Sequence, residues 1–451
     1  MTTGVMWFRR DLRLLDNPAW NDALSLHDFV VALFVLDARL LATSSRRANR
    51  LRSELLCLDA AIAERGGRLR VETGRPDKAL SRILVETSAA ALHLNLDVTP
   101  FATARDALVE SQVTEMGTDF RGWWGSLYHR PGDILTSKGT VSQVFTPFSK
   151  VWTTTDPNPW PDAGDAALAS DPGEWSRADV RPDPDAGESA AHDRLHDFNS
   201  KVDDYLDLRD IPGVDGTSQL STDLRFGTLS PRTVADVIGG HTAGRAGFVR
   251  QLAWRDWWAH TLHVRPELTT EPVNPKYRNL QWRNDDDDIK AWKTGTTGYP
   301  IVDAGMRELA STGWMHNRVR MIVGSFLVKH LLVDWRIGEA HFRRELLDGD
   351  VPQNVGNWQW IAGTGPDAAP YFRIFNPITQ SKKFDPNGRY IKQWVPELAG
   401  VAARDVHAPW KAAPLDLATA DVTLGSDYPF PVVDHSAARE RALATYKNAH
   451  G

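Results

Sequence analysis

Cysteine is almost missing. Cys57 stands alone in 451 residues, so no disulfide can close within the chain and no cysteine-held zinc or iron–sulfur centre can form in it. Long apolar runs are missing too: no stretch of 18 apolar residues occurs, and no membrane span is expected. The start, MTTGVMWFRRDLRLL, turns charged at once and lacks a secretory pattern. A net basic charge is absent: the formal charge is −6 and the pI near 6.2. That excludes global nucleic-acid affinity but not a local basic groove, because the field at a site follows the charge distribution. A dinucleotide fold carries GxGxxG after its first strand; here the turn reads FRRDLRLLDNPAW, without glycine. GTGPDA at 363–368 fits GxGxxA, yet it follows tryptophans instead of a strand and contains Pro366, so it is not assigned a phosphate. No metal site is expected. What survives is a cytoplasmic, reduced, soluble protein, with 42% hydrophobic and 24% charged residues.

The length suggests more than one core. Residues 1–128 alternate apolar runs (GVMWF, FVVALFVLD, GRLRVETG, AALHLNLDV) with helical patterns such as SRRANRLRSELLCLDAAIAERGG. Strand, helix, strand in repetition means a parallel, Rossmann-like α/β sheet. Residues 129–195 are rich in Pro, Asp, Gly and Ala and read as a long surface linker. From 196 to 451 the periodicity is helical and strand signals vanish, which predicts an all-α domain. There is no internal repeat, and NDDDDIK at 284–290 reads as a solvated loop or helix start.

Tryptophan is abundant, with 18 residues, eleven of them at or beyond position 254. Core packing accounts for most indoles; a cluster this dense asks for a second reason. RQLAWRDWWAH places Gln251, Trp254, Arg255 and Trp258 on one helical stripe by i, i+3, i+4 spacing. That suits an aromatic wall for a planar ligand or an unstacked base. GWMHNRVRM puts Asn317 and Met321 on one face with Arg320 adjacent, and His316 reads as a satisfied core histidine. In GTSQLSTDLRFGTLSP, Thr217, Ser218, Ser221 and Thr222 set hydroxyls beside backbone N–H groups near a helix start, which suits an anion or an ordinary N-cap cluster. Tyr205 precedes them by twelve residues.

Together these stretches closely resemble the DNA photolyase and cryptochrome family over nearly the whole chain, and most of all its class I cyclobutane pyrimidine dimer photolyases. The most specific are TSQLS with GTLSP, WRDWW, AWKTGTTGYPIVDAGMRELASTGWMHNRVRM, SFLVKHLLVDWRIGEAHF and DGDVPQNVGNWQW with DAAPYFRIFNP. The resemblance implies an α/β antenna domain, a linker and a helical domain holding FAD. It implies light-driven repair of cyclobutane pyrimidine dimers in DNA, by electron transfer from photoexcited reduced FAD to a flipped-out dimer. Tyr205, Thr217, Ser218, Gln219, Leu220 and Ser221 match the residues at the phosphates and ribityl chain; Asp348, Gly349 and Asp350 flank the flavin, and Arg320 pairs with Asp348. Asn354 matches the residue facing flavin N5. Trp358, Trp335 and Trp282 match an electron-transfer triad from flavin to surface. Trp254 and Trp360 match the indoles around the dimer, with Gln251, Asn317 and Met321 beside it. Arg225, Arg255, Arg318, Lys383, Arg389 and Lys392 are candidates for a basic DNA rim.

Two sites depart from the pattern. Gln251 stands where cyclobutane-dimer enzymes carry glutamate; (6-4) photolyases carry glutamine there but histidines at the places of Asn317 and Met321. Phe101 and Ala102 replace the Asn–Glu pair of folate-binding members, so a folate antenna is not expected and 8-hydroxy-5-deazaflavin, or no antenna, is. A signalling cryptochrome without repair is the rival reading; the end of the chain, TYKNAHG, has no extended tail. A monomer acting on damaged DNA, with no membrane partner, is expected.

Overall fold

The structure, a computed structural model, describes residues 1–42, 44–178 and 180–450. By backbone packing the chain divides into two units: Met1–Asp203 with Ser218–Pro266, and Asp204–Thr217 with Glu267–Gly451.

The first unit is built on β1 (Thr3–Phe8), β2 (Phe29–Leu36), β3 (Arg70–Thr73), β4 (Ala91–Asn95) and β5 (Asp119–Trp123), in the order β3-β2-β1-β4-β5. Every pairing is parallel; Val5 lies opposite Val31 on one side and Leu92 on the other. The run FVVALFVL is apolar without alternation because β2 is covered on both faces. Period-2 geometry sorts β1: Met6 and Phe8 pack with Trp20 of α1 (Pro18–Leu26) and Leu55 of α2 (Ser45–Ala63). Val5 and Trp7 pack with Leu80 of α3 (Pro76–Glu86) and Val109 of α4 (Pro100–Glu115).

The glycine-free turn after β1 is organised by a buried arginine. Arg13 donates to the carbonyls of Leu15 (3.1 Å), Asp16 (2.7 Å), Gly125 (2.8 Å) and Gly227 (3.0 Å). A guanidinium with that many acceptors holds a loop closed where a phosphate would otherwise do so. Asn17 then caps α1, accepting from the Trp20 N–H ahead of Pro18.

The stretch 129–195, read from sequence as a surface linker, is more structured than that. It contains α5 (Phe145–Thr154) and β6 (Ala167–Leu168), which pairs with β2 at Phe29 and Val30. Helices α6 (Ser221–Phe226), α7 (Pro231–Ile238) and α8 (Ala243–Val264) group with this first unit, not with the later helices. The cause is a set of buried polar ties: Asp256 of α8 accepts from the N–H groups of Tyr128 (3.2 Å) and His129 (3.0 Å) and from Trp152 Nε1 (2.9 Å).

The second unit is helical. Its principal elements are α9 (Pro300–Thr312), α10 (Asn317–Ser325), α11 (Trp335–Glu345), α12 (Val351–Ala362), α13 (Pro377–Phe384) and α14 (His435–His450). Between α10 and α11 the chain makes a π-turn, Phe326–His330, which is fully buried. Among the described residues no helix is long and apolar enough to cross a membrane.

Candidate active site

The stretch that packs acids, amides and indoles most tightly, residues 348–360, forms the entry to α12 and the helix itself. Arg320 on α10 grips Asp348 with both terminal nitrogens (3.2 and 2.8 Å), and its Nε donates to the Met315 carbonyl (2.7 Å). A fork-to-fork pair of this kind makes a buried carboxylate tolerable. Leu347 N–H donates to the Gly313 carbonyl (2.8 Å) and anchors the same loop. Asp350 stands at the N-cap of α12 but does not cap it with its side chain.

Asn354, one turn into α12, is buried, and its Nδ2 donates both to the carbonyl and to Oε1 of Glu339 on α11, each at 2.9 Å. Both amide hydrogens are thereby engaged, which fixes which end of the amide is oxygen. Oδ1 takes no hydrogen bond from any described residue and remains an acceptor. Burial pushes the Glu339 carboxyl above its ordinary range, against the pull of Arg343 and Asn354. Glu339 was not among the residues expected from sequence. Its signal was present: with Trp335 and Phe342 it occupies the i, i+4, i+7 stripe of α11 that is otherwise apolar.

The three indoles Trp358, Trp335 and Trp282 differ in exposure. Trp358 and Trp335 are buried, and Trp282 is half-buried. Trp358 sits edge-on to Phe342 (5.1 Å) and Trp292 (6.2 Å). It fits only because Gly338 faces it: a Cβ there would lie 2.2 Å from the indole. Trp282 meets Tyr446 of α14 edge to face at 6.3 Å.

Tyr205 is buried, which pushes its phenol up, with the Arg209 guanidinium 5.6 Å from its ring. Gly216 brings the following segment back against Leu208, where a Cβ would be 2.5 Å from the leucine Cβ. In the first unit Ser218 Oγ accepts from Leu220 N–H (3.3 Å), and Gln219 adopts a left-handed φ of 53° at the start of α6. The side chains of Thr217 and Ser221 have no hydrogen-bond partner among the described residues. Within the second unit, the unbonded Thr217 hydroxyl, the unbonded Asn354 oxygen and the fixed Arg320–Asp348 pair offer donors and acceptors of the kind that FAD takes, so these residues fit the group.

The lesion-facing candidates fall on both units. In the second, Asn317 is exposed at the first turn of α10, and Met321 lies one turn on, half-buried. Trp360 shares the accessible stripe of α12 with Gln353 and Asn357. His316 is only partly the satisfied core residue expected. Its Nδ1 accepts from Arg318 N–H (3.2 Å), its buried Nε2 has no partner, and burial lowers its pKa to about 4. In the first unit, Gln251 and Trp254 are half-buried on α8, and Gln251 Nε2 donates to the Gly247 carbonyl (3.1 Å). Arg255, expected at a DNA rim, is engaged by the Ser126 (2.5 Å) and Leu224 (3.2 Å) carbonyls. Arg318 pairs with Asp210 (2.8 Å) and lies over Phe384, whereas Lys383 is exposed with no carboxylate partner among the described residues.

Comparison with known proteins agrees with this architecture. Residues 4–164 match the family described as DNA photolyase, and residues 248–448 match the FAD binding domain of DNA photolyase. The chain is 39% identical to the deoxyribodipyrimidine photo-lyase of Escherichia coli, across 100% of this chain and 99% of that one. A bacterial class III photolyase from Agrobacterium tumefaciens superposes with a TM-score of 0.94 at 37% identity, covering 100% of this chain and 98% of the other. A Synechocystis cryptochrome superposes with a TM-score of 0.90 at 30% identity, covering 99% of each chain. The chain therefore belongs to the DNA photolyase family: an α/β domain with a parallel sheet followed by a helical FAD-binding domain.

Proposed function

We propose that the protein is a deoxyribodipyrimidine photo-lyase that repairs cyclobutane pyrimidine dimers, acting as a cytoplasmic monomer on single- or double-stranded DNA. The observation that carries this reading is the pairing of Asn354 with Glu339, which leaves Oδ1 as a fixed acceptor on the helix that the clamped Asp348 loop leads into. Bound reduced FAD supplies light absorption and the electron that opens the cyclobutane ring. The chain supplies the surroundings. Tyr205, Thr217, Ser218, Gln219, Leu220 and Ser221 would hold the phosphate and ribityl portion, and Asp348, Gly349 and Asp350 would flank the flavin. Asn354 Oδ1 accepts a hydrogen bond and favours a protonated partner over a bare one. Trp254 and Trp360 are the indoles suited to stack on unstacked pyrimidines and exclude water from them. Gln251 in the first unit and Asn317 in the second each carry an amide that can meet a pyrimidine carbonyl, and Met321 carries a polarisable sulfur. Trp358, Trp335 and Trp282 are the indoles for a relay that restores the reduced state, with the half-buried Trp282 as its outer member.

Gln251 favours a second reading, (6-4) repair, and the likeness to a cryptochrome favours a third, light reception without repair. Expression in a photolyase-deficient bacterium distinguishes them. Restored survival of ultraviolet-treated cells in light but not in darkness, with loss of cyclobutane dimers from their DNA, is expected. Loss of (6-4) products alone, or no rescue, contradicts the proposal. For the antenna, Phe101 is exposed at the first turn of α4 with Arg39 (4.8 Å) and Arg105 (5.8 Å) over its ring, a setting for a planar anionic chromophore such as 8-hydroxy-5-deazaflavin. Absorbance of the natively purified protein in the deazaflavin band tests this.

A further inference from the structure

An indole that is to receive an unstacked base must hold its plane. In this protein the plane of Trp254 is set from outside its own helix. The ring of Phe145, the first residue of α5, lies with its centroid 3.6 Å from that of Trp254 and its plane 12° away, a face-to-face stack. Phe145 is buried, so this contact excludes water. Trp254 is further braced edge-on by Trp257 (5.2 Å, 80°), and the Arg250 guanidinium stands 5.0 Å from the Phe145 ring.

Helix α5 is fastened to α8 at both ends. Trp257 Nε1 donates to the Ser142 carbonyl (2.8 Å) just before α5 begins, and Trp152 Nε1 near its end donates to Asp256 (2.9 Å). Phe145 is therefore part of a rigid platform, although it comes from a stretch that reads as linker. One face of the Trp254 indole is covered by Phe145, and the residue as a whole is still only half-buried. A ring already fixed in its binding orientation loses little freedom when a ligand stacks on it.

We propose that Phe145 is a positioning residue for lesion binding: it clamps one face of Trp254 so that the accessible remainder is presented, at a fixed tilt, to the unstacked pyrimidine pair. This rests on the reading that Trp254 walls the substrate cavity. The experiment uses the FAD-loaded full chain and oligonucleotides with and without one cyclobutane dimer, in darkness, read by fluorescence anisotropy. Phe145→Leu should weaken dimer binding about tenfold and leave undamaged-DNA binding and FAD content unchanged. Phe145→Tyr, which keeps the ring, should stay near wild type. The double variant Phe145→Leu/Trp254→Ala should bind no more weakly than Trp254→Ala alone. Should Phe145→Leu not fold, Phe145→Met, which preserves volume without a ring, carries the same test. If Trp254→Ala weakens dimer binding and the Phe145 variants do not, the clamp is wrong and the cavity stands. If Trp254→Ala has no effect, the cavity reading fails and the clamp with it. Parallel losses for damaged and undamaged DNA, or effects that add in the double variant, mean a merely structural role and overturn the proposal.

Discussion

Asn354 can offer a flavin either hydrogens or an oxygen, and Glu339 makes the choice by taking both hydrogens. Replacing Glu339 by Leu leaves one amide hydrogen without an acceptor in a buried place, which costs about 1–3 kcal/mol. Glu339→Gln keeps an oxygen in reach and should cost under about 1 kcal/mol; urea denaturation of the two variants checks the difference. Gln251 has the opposite character. Its amide hydrogen is already turned back to the Gly247 carbonyl, so its free contribution to a ligand is weakened. Gln251→Glu cannot make that turn and should raise the yield of dimer repair per absorbed photon severalfold, measured against the wild type with the same oligonucleotide. A fall in yield would argue that glutamine is the matched residue and that the lesion is of another kind.

Helices α11 and α12 meet where Gly338 faces Trp358. Gly338→Ala puts a methyl 2.2 Å from the indole, and overpacking of this sort costs about 1–3 kcal/mol while displacing Trp358. Thermal unfolding should show the loss, and flavin photoreduction should slow with it. The contact between the π-turn and α14 is acid-sensitive. His330 is buried against His435 (2.8 Å), and burial lowers its pKa to about 3. The folded state thus binds its proton more weakly than the unfolded chain, whose value is near 6.5. The stability from the neutral ring is complete above pH 6.5 and drains away as pH falls toward 3. At pH 5 that loss is about 2 kcal/mol relative to neutral pH, and His330→Asn should remove it from the pH profile of urea unfolding. Elements of this kind were unevenly legible. The runs behind β1 and β2 are apolar on both faces and that behind β4 on the Leu92–Leu94 face, and they announce themselves. β5, DFRGW, is a polar edge strand and does not; α5, with Thr and Pro in its first turn, hides inside a Pro- and Asp-rich stretch. In the candidate site the indoles and amides came from a family likeness. Glu339 is marked by its place on the α11 stripe, but its bond to Asn354 and the stack of Phe145 on Trp254 come from packing, which no spacing rule reports.

At the scale of the whole molecule, a chain of net charge −6 must bind DNA through a few unpaired cations. Lys383 is such a cation, while Arg318 is already neutralised by Asp210 and Arg255 is engaged by carbonyls. Lys383→Ala should therefore reduce the slope of log affinity against log salt by about 1, and Arg318→Ala by less, in titrations across a range of sodium chloride. The most direct test of the central claim is optical. Reduced, FAD-loaded protein is mixed with an oligonucleotide carrying one thymine dimer and illuminated with near-ultraviolet or blue light, while pyrimidine absorbance is followed. Recovery of that absorbance is expected under light only, to the level of two thymines per dimer. Light-independent recovery, or a flavin that bleaches and returns while the dimer persists, would contradict it.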